Sequence, residues 1–478
     1  MRMITYLFLA YKSVGFNLFR GCSSFSKPWL ERCCPSHLSE QSINKISGKK
    51  HDDDDVDPVP WDKLPVDILK LIFDRLHLKD RIRFNLVCKQ WRTNTTETPQ
   101  LLWLMLPYHE NSQHLSFFDM SEGKVHKLNL PKSAQGGWFC GCSKGWLFLA
   151  KGSEFHNLQF FLFDPISRVQ IPLPPLSTIP EFGKTFTIRQ SKWNPAACII
   201  TQVVVSSSDA SQCILAATFC ANDDNFLALC RPQDERWTIV DGLLADGHCY
   251  LDIYFFNGEL YACFAKTNNL QDQANLGPFP THSVTLGGHD VNLKLIPFIC
   301  PPIYPSSYAA DVDELSWYYK DCAIMVRLVE SNGQLFMVTK ICDIIETSDY
   351  DDINEEDEDE DNERLLTYHQ TARFEVSKIQ ITDTTFTATR LSNLSDQSLF
   401  VGDGVSLAGN FNEFDKNCIY FLEENDIYSL EDVYPLSRES GIFYLDDGSI
   451  KRSFPSIKTD RGSYMNWFSP NIKTGAFF

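Results

Sequence analysis

From about Gln113 onward the sequence is built on a period of two. Short runs rich in β-branched and aromatic residues recur: Trp146–Leu149, Phe160–Phe163, Ile199–Val205, Ile253–Phe256, Ile324–Val329 and Cys418–Leu422. Between such runs stand dipeptides suited to two-residue hairpins, whose central positions need positive φ: Glu122-Gly123, Asn257-Gly258, Asn332-Gly333 and Asp447-Gly448. No long stretch beyond residue 100 keeps the 3.6-residue apolar period of a helix. A region of about 365 residues must therefore fold as β-structure. One unit recurs loosely within it, an apolar residue, a Gly turn, then alternating apolars, as in Phe255-Phe-Asn-Gly-Glu-Leu-Tyr261 and Val329-Glu-Ser-Asn-Gly-Gln-Leu-Phe336. Four-stranded blades of about 40–50 residues would fill this length as a propeller. A pair of sandwiches fits the same spacing.

Upstream the period changes. Leu64, Ile68, Leu69, Ile72, Phe73 and Leu76 fall at helical spacing. Pro65 sits where a first turn tolerates it, and Asp67 suits the positive end of a helix dipole. After a break around His77–Lys79 come Ile82, Phe84, Leu86, Val87, Cys88 and Trp91, and Pro99 closes the unit. About forty residues cannot bury all these side chains alone. Either the stripe packs on the chain's own downstream domain, or it is offered to a partner as a helix for a groove.

The pattern Leu64-Pro65-x-Asp67-Ile68-Leu69-x-x-Ile72-Phe73-x-x-Leu76, followed by Asp80 and Val87-Cys88-Lys89-x-Trp91-Arg92, resembles an F-box. The resemblance implies docking on a Skp1-like adaptor, and through it on cullin, in an SCF-type ubiquitin ligase. It also implies that Leu64, Pro65, Ile68, Leu69, Ile72, Leu76, Val87, Cys88 and Trp91 form the adaptor-facing and bundle-core surface. Residues 59–96 hold eight Lys/Arg against four acids. That positive balance suits an acidic partner, which Skp1-like adaptors generally are.

A second resemblance covers about Gly123 to Pro470. Cys142-Ser-Lys-Gly-Trp-Leu147, Phe163-Asp-Pro-Ile-Ser-Arg168 and its continuation to Pro174, Val401-Gly-Asp-Gly-Val-Ser-Leu407, the Cys418-Ile-Tyr-Phe strand and Gly441–Gly448 are similar to plant F-box proteins with a DUF295 or KIB1-4-type β-propeller. On turn chemistry, Pro165 fixes φ while Asp164 bonds the turn backbone. Gly402 and Gly404 are expected to make a tight turn or bulge before a strand at Val405–Leu407.

Charge is uneven along the chain. The net charge of −19 includes eleven acids and no base in Asp349–Glu363, five Asp in His51–Asp57, and an excess of six positive charges in residues 1–50. The acidic balance argues against non-specific binding to nucleic acid or anionic membrane, both of which need clustered Lys/Arg. No run reaches the length of a membrane span. The 16 cysteines have irregular spacing and no C-x-x-C pair. They read as packing thiols in a reducing compartment rather than zinc ligands.

A search for chemistry returns little. His289-Asp290 follows Gly287-Gly288, but such a pair in a Gly-rich stretch reads as a turn. No nucleophile elbow, H-E-x-x-H or phosphate loop occurs, and the acidic tract lacks the spacing and Gly of an EF-hand. Trp138, Trp193, Trp237 and Trp317 read as blade anchors, since no Lys/Arg interleave them as a stacking platform would require. No catalytic, cofactor or metal residue is assigned.

The expected fold is a small all-α F-box helical bundle followed by a large all-β domain, a β-propeller. The expected organisation is 1–58 as a disordered basic then acidic extension, 59–98 as the F-box, and 110–478 as the propeller with an acidic loop at 346–364. The expected function is substrate recognition in an SCF-type ligase, with no enzymatic step, no cofactor and an unspecified protein substrate. Its setting would be the nucleus and/or cytoplasm. The alternative is an organellar or scaffold-type binding propeller without a ligase role, reaching a mitochondrion or plastid through residues 1–40.

Overall fold

The computed structural model describes residues 64–74, 84, 90–91, 102–108, 112–120, 123–152, 158–179, 200–221, 224–240, 248–266, 281–286, 288–298, 322–347, 366–381, 386–402, 406–409, 411, 414–422, 439–452 and 465–470. The chain divides into two units, Met1–Pro99 and Gln100–Phe478.

In the first unit the described residues hold one α-helix, α1 (Val66–Asp74), nine residues long. This corrects the expectation of a small all-α bundle. The apolar stripe at helical spacing covers that single stretch. Beyond α1, Phe84, Gln90 and Trp91 have helical backbone as separate described residues, and the rest of the second apolar set lies outside the described residues. The described structure is nearly all β.

In the second unit, pairing gathers the alternating runs into six sheets. Blade 1 holds β1 (Trp103–Met105), β2 (His114–Asp119) and β3 (Lys124–Asn129). Blade 2 holds β4 (Trp138–Ser143), β5 (Trp146–Lys151), β6 (Gln159–Phe163) and β7 (Gln170–Pro172). Blade 3 follows with β8 (Ile200–Val205), β9 (Leu215–Ala221), β10 (Asp224–Cys230) and β11 (Thr238–Ile239). Blade 4 has β12 (His248–Phe256), β13 (Glu259–Lys266), β14 (Thr281–Leu286) and β15 (His289–Pro297), with β13 and β15 paired in parallel. Blade 5 has β16 (Cys322–Ser331), β17 (Gln334–Thr347), β18 (Leu366–Ile381) and β19 (Phe386–Leu391). Blade 6 has five strands: β20 (Ser398–Val401), β21 (Leu407–Gly409), β22 (Cys418–Phe421), β23 (Gly441–Tyr444) and β24 (Ile450–Lys451). The last strand, β25 (Asn466–Phe468), returns to blade 1 and lies antiparallel to β1, with Trp467 opposite Leu104.

These sheets form a six-bladed β-propeller rather than two sandwiches. The strands β25, β4, β8, β12, β16 and β21 neighbour one another in that order. Apolar clusters then straddle successive blades. Phe148 and Phe160 meet Val203 and Phe219 between blades 2 and 3; Leu227 meets Ile253 and Leu293 between 3 and 4. Ile296 meets Leu328 between 4 and 5, Phe374 meets Phe421 between 5 and 6, and Phe400 meets Trp467 and Leu104 between 6 and 1. Each fully buried side chain of this size contributes roughly 1.5–3 kcal/mol. The outermost strands are wetter: β3 and β19 are largely exposed.

Polar bonds tie the same blades together. Cys142 Sγ donates to Trp467 O at 3.2 Å, and Val205 N donates to Ser143 Oγ at 3.2 Å. Ile253 N donates to Gln202 Oε1 at 2.7 Å. The buried Asp252 accepts from Gln202 Nε2 and from Leu328 N, joining blades 3, 4 and 5. Arg327 Nε donates to Gly402 O at 3.2 Å, and Trp467 Nε1 to Val401 O at 3.1 Å, which completes the circuit. In β4, β8 and β12 the pairing with the next strand is interrupted by a register shift near these residues. A bulge of this kind turns a side chain out of its own ladder, toward the neighbouring blade.

The hairpins use the expected residues. Asn257 and Asn332 have φ of 49°, followed by Gly258 at 82° and Gly333 at 68°, the two-residue geometry whose twist matches the flanking strands. Lys144-Gly145 adopts the same shape at 46° and 85°, although lysine is not a turn signature. Asp164 is buried and its Oδ1 accepts from Ile166 N (2.9 Å) and Ser167 N (3.2 Å), as the Phe163-Asp-Pro motif implied. Gly402 stands at the reversal from β20 into the antiparallel β21, where a turn was expected. It has no left-handed φ, and it ends β20 against Leu422 and Trp467, where a Cβ would make ordinary contacts at 3.6 Å. The strand expected at Val405–Leu407 is β21, Leu407–Gly409, and Gly404 lies outside the described residues.

Candidate functional site

Helix α1 begins where its sequence dictates. Pro65 has no N–H to leave unpaired, and its carbonyl accepts from the amides of Ile68 (3.0 Å) and Leu69 (3.1 Å). Asp67 stands exposed in the first turn, beside the unpaired amides.

Burial then separates the apolar residues into two sets. Leu64, Leu69, Phe73 and Phe84 make a buried cluster, with Ile72 and Trp91 half-buried against it. Phe84 meets Phe73 edge-on at 5.4 Å between centroids and Trp91 at 4.3 Å. Aromatic pairs of this kind add about 0.5–1.5 kcal/mol beyond the area they bury. Pro65 and Val66 are exposed, Val66 at 42%, and Ile68 is half-buried. Pro65, Ile68 and Ile72 follow i, i+3, i+7 spacing and form a stripe beside the Leu69–Phe73 row.

Of the nine positions implied by the F-box resemblance, Leu64 and Leu69 are thus spent on the unit's own core. Pro65, Ile68, Ile72 and Trp91 keep exposed surface. Leu76, Val87 and Cys88 lie outside the described residues. Two contributors were absent from that set. Phe84 was legible as an apolar residue but not as the centre of the cluster. Val66 occupies an unconstrained position of the motif, and its only signal was an aliphatic side chain in a first turn.

The propeller's chemistry-bearing residues are held for structure. His289 pairs with Leu286 across the β14–β15 hairpin, and Asp290 Oδ1 accepts from Thr285 Oγ1 at 2.7 Å. That bond engages the carboxylate across the hairpin. Trp237 is buried and its Nε1 donates to Pro174 O at 2.8 Å; Trp138 is half-buried against the same cluster. Trp193 and Trp317 lie outside the described residues, whereas Trp146 and Trp467 are buried anchors not singled out from sequence.

Burial raises the thiols of Cys140, Cys142 and Cys230, and pushes Cys213 and Cys418 up to about 11. These are packing environments, unlike the electropositive settings that activate a thiolate. Among the described residues no group of three or more His, Cys, Asp or Glu is placed to hold a metal ion. Among them, too, no helix is long and apolar enough to cross a membrane. The acidic tract Asp349–Glu363 and residues 1–58 lie outside the described residues.

The KIB1-4 beta-propeller family model matches residues 117–444, and an F-box-like model matches residues 61–104. The chain belongs to the KIB1-4 β-propeller family. This KIB1-4 member is 26% identical over 230 residues to an F-box/kelch-repeat protein of Arabidopsis thaliana, an alignment covering 42% of this chain and 62% of that one. It is 32% identical over 122 residues to a putative F-box protein of the same plant, covering 25% and 30% of the two chains. A further putative F-box protein from this plant is 31% identical over 144 residues, covering 27% and 35%. The matched segments thus span less than two thirds of those relatives' lengths. Among solved structures, TolB from Acinetobacter baumannii overlaps 82% of this chain and 73% of its own, at a TM-score of 0.32 and 9% identity.

Proposed function

We propose that this KIB1-4 member is the substrate-recognition subunit of an SCF-type ubiquitin ligase. The F-box-like segment docks on a Skp1-like adaptor, and through it on cullin, while the propeller binds a protein substrate for ubiquitination. One observation carries the reading: an F-box-like segment at 61–104 and a KIB1-4 propeller at 117–444 follow each other in a single chain. The exposed Pro65 and Val66, flanked by Ile68 and Ile72, give that segment apolar surface beyond its own core. The positive balance of residues 59–96 favours encounter with an acidic partner. In this reading the chain does no bond chemistry. It raises the effective concentration of substrate beside the transferring enzyme.

Co-purification of the full-length chain with a Skp1-like adaptor tests the proposal. The double variant Leu64→Ala/Pro65→Ala should lose the adaptor while the propeller's unfolding transition stays in place. Undiminished adaptor recovery would sink the reading. The proposed setting is the nucleus and/or cytoplasm, and imaging of full-length and 1–58-deleted fusions checks it. Organellar import of the full-length form alone would favour the organellar or scaffold-type alternative instead.

A further inference from the structure

We draw no further inference here: the strongest candidate, the outer edge of blade 1, where Lys124, Val125 and Lys127 of β3 stand exposed on a strand with no neighbour beyond it among the described residues, carries nothing because edge lysines already serve to keep such strands from pairing and nothing in the structure shows what covers them.

Discussion

The two units of this chain satisfy their apolar residues in opposite ways. Among the described residues of the propeller, five of the six blade junctions carry a two-blade apolar cluster, and the junction of blades 1 and 2 carries the bond from Cys142 to Trp467 O. Among its described residues the segment around α1 has a cluster of four buried side chains, and Pro65 and Val66 stand exposed. A ring whose blades pack on their neighbours holds its own core, and in the proposed reading it offers a partner its turns and edges. An exposed apolar first turn is surface that a partner could cover. In the proposed reading that difference separates stability from docking within one chain.

The largest effect should come from breaking the ring where its two ends meet. Trp467 is fully buried, stacks edge-on against Phe400 at 5.2 Å and bonds Val401 O. Trp467→Ala should cost about 3–5 kcal/mol of unfolding free energy by urea titration. Adaptor recovery should be unaltered, which would confirm that the two units carry separate tasks.

A smaller loss should follow from the polar circuit. Asp252→Ala takes the side-chain acceptor from Leu328 N and leaves Gln202 Nε2 with Ile253 O alone, at a cost of about 1–3 kcal/mol. Equilibrium unfolding would measure it, and a loss near zero would mean that the apolar clusters alone hold blades 3, 4 and 5 together. Next comes turn geometry. Asn332→Val puts a β-branched residue at a φ of 49° and should lower stability by roughly 1–2 kcal/mol.

The smallest effect concerns pH. Cys213 is raised from 9.0 to about 11, first by burial. Its thiol stays protonated in the folded ring when the unfolded chain has begun to lose that proton. The resulting stability is whole below pH 9 and falls as pH climbs from 9 toward 11. Urea midpoints at pH 7.5 and 10.5 should show the decline, and Cys213→Ala should lessen it.

Much of the propeller was legible because its signals are local. Alternation marks a strand, and Asn-Gly marks a hairpin, whatever the rest of the chain does. The Asp164 turn was readable for the same reason: the carboxylate bonds amides only two and three residues away. Blade order was not readable. The parallel pairing of β13 with β15, the fifth strand of blade 6 and the return of β25 to blade 1 all depend on partners distant in sequence. Asp252 carries no signature either, since its partners are 50 and 76 residues away. Gly402 stands where the chain reverses from β20 into the antiparallel β21, as glycine suggested, but it does so in ordinary backbone without a left-handed φ.

In the segment, sequence distinguished apolar from polar but not inward from outward. A stripe at helical spacing does not say which of Leu64, Pro65, Ile68 and Leu69 face the core. The bundle expectation rested on a second apolar set of which only Phe84 and Trp91 are described, which leaves α1 as the one continuous helix among the described residues. The F-box pattern named a surface and did not divide it; burial divides it.

The central claim is that docking resides on the exposed side of α1 and stability on its buried side. Titrating a Skp1-like adaptor into the full-length chain and into its Pro65→Ala/Val66→Asp variant tests this most directly, with thermal unfolding recorded for both. The account predicts at least a tenfold weaker Kd for the variant, about 1.4 kcal/mol, with both unfolding transitions in place. Equal affinity in the two proteins would contradict it.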